Sequence, residues 1–453
     1  MIEVDLPVDR YTSETVYANV ATAVPAVNSV YALMAHQGQF SGPFAGVSLY
    51  LGLISDDIIN VEYAQAENQN IYDGSGDYFP GYFWKFVYKD IIYQVHSSLE
   101  GVNKSSTLPV RAKQILSGEL KFTRAWLYFL LVNLYGDVPL VLSTDFKVNS
   151  IMSRTPKDQV YDQIITDLLE AQTLLEDNFL EKDLVNTGIE RIRPNKAAAA
   201  ALLARVYLYK GKWQEAEAEA SKVITNSNYE LLSNLDEVFL KNSKETILAL
   251  QPSLVNPDGV NSPEGAWPIT PDGGNDPNYV ISPFLLNTFE VDDQRKLHWI
   301  SSTESGRIFT YKYKQGSRTM ESKEYTVVFR LAEQFLIRAE ARAMQGKLTG
   351  ENSAVSDINV IRNRAGLANS VASTEQEILV AIDKERQTEL FMEWGDRWLN
   401  MKRRGTVDDV MSVVTPEKGG VWEPYKALFP IPWDEFMYNP GLAGHQNPGY
   451  TER

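Results

Sequence analysis

Apolar and polar positions alternate at helical spacing most clearly from Pro194 to Thr225, PNKAAAAALLARVYLYKGKWQEAEAEASKVIT. Strong helix formers lie on both sides of Lys210-Gly211, so the segment is predicted to be a helical hairpin. Ala204, Tyr207, Gly211 and Ala216 follow the tetratricopeptide pattern, in which small residues let paired helices approach and glycine makes the turn. A second copy reads FRLAEQFLIRAEARAMQGK from Phe329, breaks at Gly346, and resumes as a helix around Ala354 to Arg362. Thr155, Pro156 and Asp158 predict a cap, a first-position proline and a first-turn acid for a helix carrying Val160, Ile164, Leu168 and Leu175. That helix should pair with Phe122 to Tyr135, within which the apolar stretch Ala125 to Tyr135 is too short to cross a bilayer. Thr374 and Glu377 form a capping box for a helix expected to run to about Arg404. Pro25 interrupts the helix-like Val16 to Met34 and should kink or split it.

Long non-helical insertions separate these units, so the repeat is not the fixed-period array of an ordinary solenoid. The segment 250–323 is dense in Pro, Gly, Asn and Asp, with a strand-like run at Arg307 to Tyr313; irregular segments also span 68–82 and 418–453. Loops of this length are usually functional. The expected fold is mainly α, a single domain over 1–453. Its tetratricopeptide-like scaffold of helical hairpins occupies about 16–40, 84–227 and 327–405, and carries the insertions and a few short strands.

Charge and chemistry narrow the function. Lys plus Arg number 43 against 59 Asp plus Glu, a net charge of −16 that repels a phosphate backbone, so nucleic acid is not an expected partner. The chain holds no cysteine, which removes disulfides, thiolate metal sites and thiol nucleophiles. There is no HExxH, no Gly-x-Ser-x-Gly, no Walker loop and no Gly-x-Gly-x-x-Gly. His36, His96, His298 and His445 are too scattered for a metal triad. Asp272, Gly274 and Asp276 alternate as in a calcium loop, but Pro277 stands where glycine is wanted and no bidentate glutamate follows. No catalytic residue, cofactor or metal is therefore expected. The first residues, Met1 to Asp5, lack the basic and apolar regions of a signal peptide, which leaves a cytosolic protein and one whose leader has been removed both open.

Aromatic residues are the positive signal. The apolar C–H faces of sugars stack on Trp and Tyr, and their hydroxyls pair with Asp, Asn, Gln and Arg. Tyr72, Asp73 and Tyr78 in one insertion, and Trp267, Tyr279 and Trp299 in the long one, have this mixture and are the candidate ligand-binding residues. Trp267, Trp299 and Tyr78 are expected to converge on one face. The alternative is that such rings anchor their loops to the helices, while Trp126, Trp213, Trp394 and Trp398 are expected in the core.

From Leu428 the sequence LFPIPWDEFMYNPGLAGHQNPGY closely resembles the C-terminal signature of the RagB/SusD family, at Pro430, Ile431, Pro432, Glu435, Asn439, Pro440 and Gln446 to Tyr450. Upstream, Glu385-Arg386, Glu389-Leu390, Glu393, Gly395, Arg397-Trp398 and Lys402-Arg403 resemble the family's penultimate helix; Arg124-Ala125-Trp126, Gly136-Asp137-Val138-Pro139, Arg193-Pro194 and Ile337 to Ala341 agree, in order. The resemblance implies a non-catalytic, cell-surface lipoprotein of Bacteroidetes. Such a protein binds glycan, lids a TonB-dependent, SusC-like transporter of the outer membrane, and is held by an N-terminal lipid anchor. Here no lipidated cysteine is present, which is expected if the chain starts just after it. The motif residues themselves are expected to be structural, with Arg386 or Arg397 paired to Glu389 or Glu393 at helical spacing. A peptide-binding member of the same family, an intracellular helical-repeat scaffold for a protein partner, and a helical glycoside hydrolase are the alternatives.

Overall fold

The structure is a computed structural model that describes residues 12–36, 40–41, 46–61, 79–252, 260–266, 276–316 and 321–452. Eleven longer helices carry labels here. They are α1 (Val20–His36), α2 (Tyr93–Lys104), α3 (Val110–Tyr135), α4 (Lys157–Leu174), α5 (Lys196–Tyr209), α6 (Trp213–Ile224), α7 (Leu331–Ala343), α8 (Ala354–Arg364), α9 (Glu375–Glu389), α10 (Asp396–Arg404) and α11 (Val407–Glu417). From α2 to α9 each helix packs on the next, which makes a continuous array of antiparallel hairpins. The protein is mainly α, as its periodicity predicts.

The alanine run does what small side chains allow. Asn195 caps α5 by accepting from the Ala198 N–H at 3.0 Å, and Ala197 to Ala204 are buried between α4 and α6. The helix ends in a six-to-one turn: Gly211 has φ +67°, its N–H meets Leu208 O, and the Lys212 N–H meets Tyr207 O at 2.9 Å. The same turn closes α7 at Gly346, with φ +74° and Lys347 N–H on Arg342 O. Both predicted hairpins are therefore present. Between helices, Arg124 of α3 meets Asp167 of α4 bidentately at 2.8 and 2.6 Å, and Arg193 reaches back to Glu119 of α3 at 2.9 and 2.8 Å.

Three expectations need correction. Helix α4 begins after Pro156, with no cap from Thr155; Thr155 bridges Val138, and Asp137 accepts the Lys157 N–H at 2.7 Å. Pro25 does not break its helix. It sits in the second turn of α1, and the break falls before Val20, after the short helix Ser13–Val16. The helix expected to reach Arg404 stops at Glu389 and restarts at Asp396, because Met392, Trp394 and Gly395 take φ of +57°, +50° and +70°. Trp394 is held there by its indole N–H on Val327 O at 2.7 Å and its backbone N–H on Ser48 Oγ at 3.0 Å.

The C-terminal signature is a clamp on the scaffold. Gln446 donates to Ile431 O and accepts from the Ile431 N–H, both at 2.8 Å, as a strand partner would. Asn447 donates to Tyr135 O at 2.9 Å and Phe429 O at 2.7 Å, so it satisfies a carbonyl in the last turn of α3. Gly449, at φ +85°, lies against the Tyr425 ring so closely that a Cβ would sit 2.2 Å from it.

Candidate functional site

Among the described residues six short strands pair two by two: β1 (Ile58–Asn60) with β3 (Tyr279–Ile281), β2 (Thr246–Leu250) with β6 (Thr326–Arg330), and β4 (Ile300–Ser302) with β5 (Ile308–Thr310), all antiparallel. In the first pair Asn60 faces Tyr279, and the Val61 N–H donates to Asn278 O at 2.9 Å. Residue 61 is the last described before one aromatic-bearing insertion, and residue 276 the first described after another. Two segments more than 200 positions apart in sequence therefore have their roots hydrogen-bonded side by side.

Helices α9 to α11 and the turn between the first two fix β1 in place. Arg397 of α10 grips Asp56 bidentately at 2.7 Å for both bonds, and the Met392 N–H reaches Asp57 at 3.2 Å. Lys418, just after α11, donates to Leu53 O at 2.9 Å, Ile58 O at 2.7 Å and Ser55 O. Burial, with Asp56 alongside, pushes the Asp57 carboxyl up to about 7. On the other root, Arg307 donates to Pro277 O at 3.0 Å, and Ser305 donates to Asp276 at 2.6 Å from the β4–β5 turn. Asp276 is thus taken up by Ser305 and Arg307, which lie on its own side of the insertion.

Tyr279 is half-buried on β3, at the root. Tyr72, Asp73, Tyr78 and Trp267 lie outside the described residues, as do Asp272 and Gly274 of the calcium-like run. Trp299 does not belong on a ligand-facing surface. Its ring is 0 % exposed, its indole N–H donates to Leu235 O at 3.0 Å, and it packs edge-on against Phe239 at 5.6 Å. The cations of Lys312, Arg330 and Arg364 stand 5.0, 5.6 and 5.4 Å from its ring. It is a loop anchor, and no sugar can stack on it. Trp126, Trp394 and Trp398 are buried as expected, and Trp213 is partly so.

Beneath Trp299 lies a buried ion network. Glu389, fully buried, accepts from Arg295, Arg330 and Arg364; Arg295 also meets Asp293 at 2.7 Å and Glu385 at 2.9 Å; Lys312 and Arg330 share Glu393. The three guanidiniums hold the Glu389 carboxyl well below the usual range despite its burial. The expected helical-spacing pairs do not form. Arg386 meets Asp396 instead, and Arg397 meets Asp56, so these motif residues tie separate segments together. Helical spacing cannot show this, since Asp396 lies across the break between α9 and α10 and Asp56 is distant in the chain. Among the described residues no group of three or more His, Asp or Glu side chains is arranged to hold a metal ion.

Two family models match the chain. One, described as starch-binding and associating with the outer membrane, covers residues 25–208, and the SusD family model covers 301–450. SusD-like protein P2 of Formosa agariphila is 26% identical over 501 aligned residues, 98% of this chain and 95% of that protein. The starch-binding protein SusD of Bacteroides thetaiotaomicron is 30% identical over 193 residues, 41% of this chain and 30% of its own length. Among solved structures, a laminarin-binding SusD-like protein superposes with TM-score 0.79 at 24% identity, over 96% of this chain and all of the other. A SusD superfamily protein of Parabacteroides distasonis gives TM-score 0.80 at 22% identity, over 97% of this chain. The chain belongs to the SusD/RagB family.

Proposed function

We propose that this protein is a non-catalytic glycan-binding protein of the outer-membrane surface, which captures oligo- or polysaccharide and passes it to a TonB-dependent, SusC-like transporter. The observation that carries the reading is the β1–β3 pair, which puts the roots of two aromatic-rich insertions side by side on a rigid base. The names of relatives agree with it, one binding starch and one laminarin. Tyr72, Asp73, Tyr78, Trp267 and Tyr279 form the proposed ligand platform. A single ring stacking on a sugar gains about 1 kcal/mol, so useful affinity needs several rings and planar polar groups acting together. Roots already fixed by Arg397, Lys418 and Arg307 reduce the ordering entropy that opposes binding.

Affinity electrophoresis through gels containing a panel of soluble polysaccharides tests this. At least one polysaccharide should retard the protein, and Trp267→Ala should weaken that retardation by about five- to a hundredfold with little change in thermal stability. Retardation by none, with binding of peptides, moves the protein to a peptide-binding role. Release of reducing ends on long incubation makes it a hydrolase.

A further inference from the structure

A second concave surface shares no residue with β1 or β3. It is a groove of about 740 Å³, within the range of sites that hold small ligands. Its floor is Trp84 and Tyr88, where a π-helical stretch, Phe86–Ile92, continues the helix Phe79–Lys85 and widens the turn; such stretches gather at functional sites. Tyr88 is fixed by its hydroxyl on Pro139 O at 2.7 Å, and its ring lies 4.8 Å from that of Trp84. One wall is the segment after α3, with Ser143, Phe146 and Asn149. The other is the short helix Trp433–Tyr438 of the C-terminal signature.

Two features of the groove point to one kind of ligand. Four aromatic rings line it with much of their surface in solvent: Tyr82 at 54 %, Tyr93 at 55 %, Tyr438 at 76 % and Phe146 at 78 % exposed. Rings anchoring a loop would be covered, as Trp299 is. Deeper in, Asn149 Oδ1 and Asp434 Oδ1 are closed off from solvent and, among the described residues, accept no hydrogen bond. The Asn149 Nδ2 donates to Ser143 O at 2.9 Å, and neither oxygen has surface open to the groove. Asp434 uses its other oxygen on Lys85 at 2.6 Å. Carboxylates on the wall disfavour an anion, and Lys85 already has an acid partner. A flat, uncharged body with C–H faces is the chemistry that fits.

We propose that this groove is a second saccharide subsite, taking a short neutral oligosaccharide through stacking on Tyr93 and Tyr438. It rests on the glycan-binding reading and extends it: two sites on one chain let a single polysaccharide strand be held at two points, which multiplies apparent affinity without strengthening either site.

The test compares three full-length proteins in gels of the polysaccharide that retards the unaltered one: the unaltered protein, Trp267→Ala, and Tyr93→Ala combined with Tyr438→Ala. Both tyrosines are exposed, so the double variant should keep its thermal midpoint while its retardation weakens about three- to tenfold. In protein carrying fluorotyrosine, the resonance of residue 438 should move when an oligosaccharide cut from that polysaccharide is added, with Trp267→Ala present as well as without it. Loss at Trp267→Ala with full retention in the tyrosine pair overturns this inference alone, as does a resonance that never moves. Retardation by no polysaccharide overturns the glycan reading and this inference with it.

Discussion

At Trp299 the indole is closed in by Phe239 on its edge and by three cations around its face. A tryptophan in a Pro- and Gly-rich insertion looks like a ligand platform in sequence. What buries it is supplied by Arg330 and Arg364, on other elements, so no local pattern can distinguish the two roles. Trp299→Ala should therefore cost about 3 to 5 kcal/mol of stability, by opening a cavity above the ion network. Glycan affinity of the remaining folded protein should hold; denaturant unfolding alongside a binding titration reads both, and a stable variant with lost affinity would return Trp299 to the site. His96 on α2 is buried with Nε2 2.9 Å from Val141 O, and burial, aided by the Arg124 guanidinium, lowers its pKa to about 4. The unfolded chain binds this proton near pH 6.5 and the folded chain only near 4. Between those values unfolding takes up a proton, so stability is full above pH 6.5 and falls, by up to about 3 kcal/mol, as pH drops toward 4. His96→Gln keeps a donor for Val141 O and has no proton to gain. Urea unfolding across this range should show a flatter slope for the variant, and an equal slope would reject the assignment to His96.

Elements differ in how far their own residues define them. Helix α5 and its turn were readable because the alanine run, Asn195 and Gly211 act locally, on neighbours within a turn or two. The interruption between α9 and α10 was not, since apolar periodicity continues on both sides and the left-handed residues include Met392 and Trp394, which rarely adopt that backbone. Tertiary bonds from Val327 and Ser48 hold Trp394 there. Strand β1 is a further case. Three residues long, it owes its position to Arg397 and Lys418 and to pairing with β3. Arg397→Ala would leave the buried Asp56 carboxylate without its guanidinium, a loss of about 3 to 5 kcal/mol, and lysine cannot restore a bidentate grip. Hydrogen exchange should rise first at Ile58 to Asn60 and Tyr279 to Ile281, well before α5, and glycan affinity should fall with it. Exchange that rises evenly over the whole scaffold would show that Arg397 does not act through β1.

Across the whole molecule, family and architecture were legible because many signature residues are structural and recur in order, while the proposed ligand site was only half so. Composition marked which insertions carry exposed-type aromatics, and strand pairing between distant segments, which decides where their roots meet, leaves no mark in sequence. The groove beside the π-helical stretch was missed for a related reason: Tyr82, Tyr93, Phe146 and Tyr438 come from three separate segments, and single aromatics at helix ends attract no notice. The main buried cluster runs from Tyr17 to Leu442 and mixes side chains of the first and last helices with those of the central hairpins. Neither half of the chain keeps its core without the other, so the 453 residues are expected to unfold as one unit rather than as separate domains. At roughly 2.1 cal/mol/K per residue, the unfolding entropy of such a unit is about 1 kcal/mol/K. A glycan present at a hundred times its dissociation constant adds about 2.7 kcal/mol, which raises the midpoint by only about 3 °C. Scanning calorimetry should thus show a single transition that moves up slightly and as a whole with ligand. Two transitions, of which ligand moves only one, would divide the chain into independent domains and assign the site to one of them.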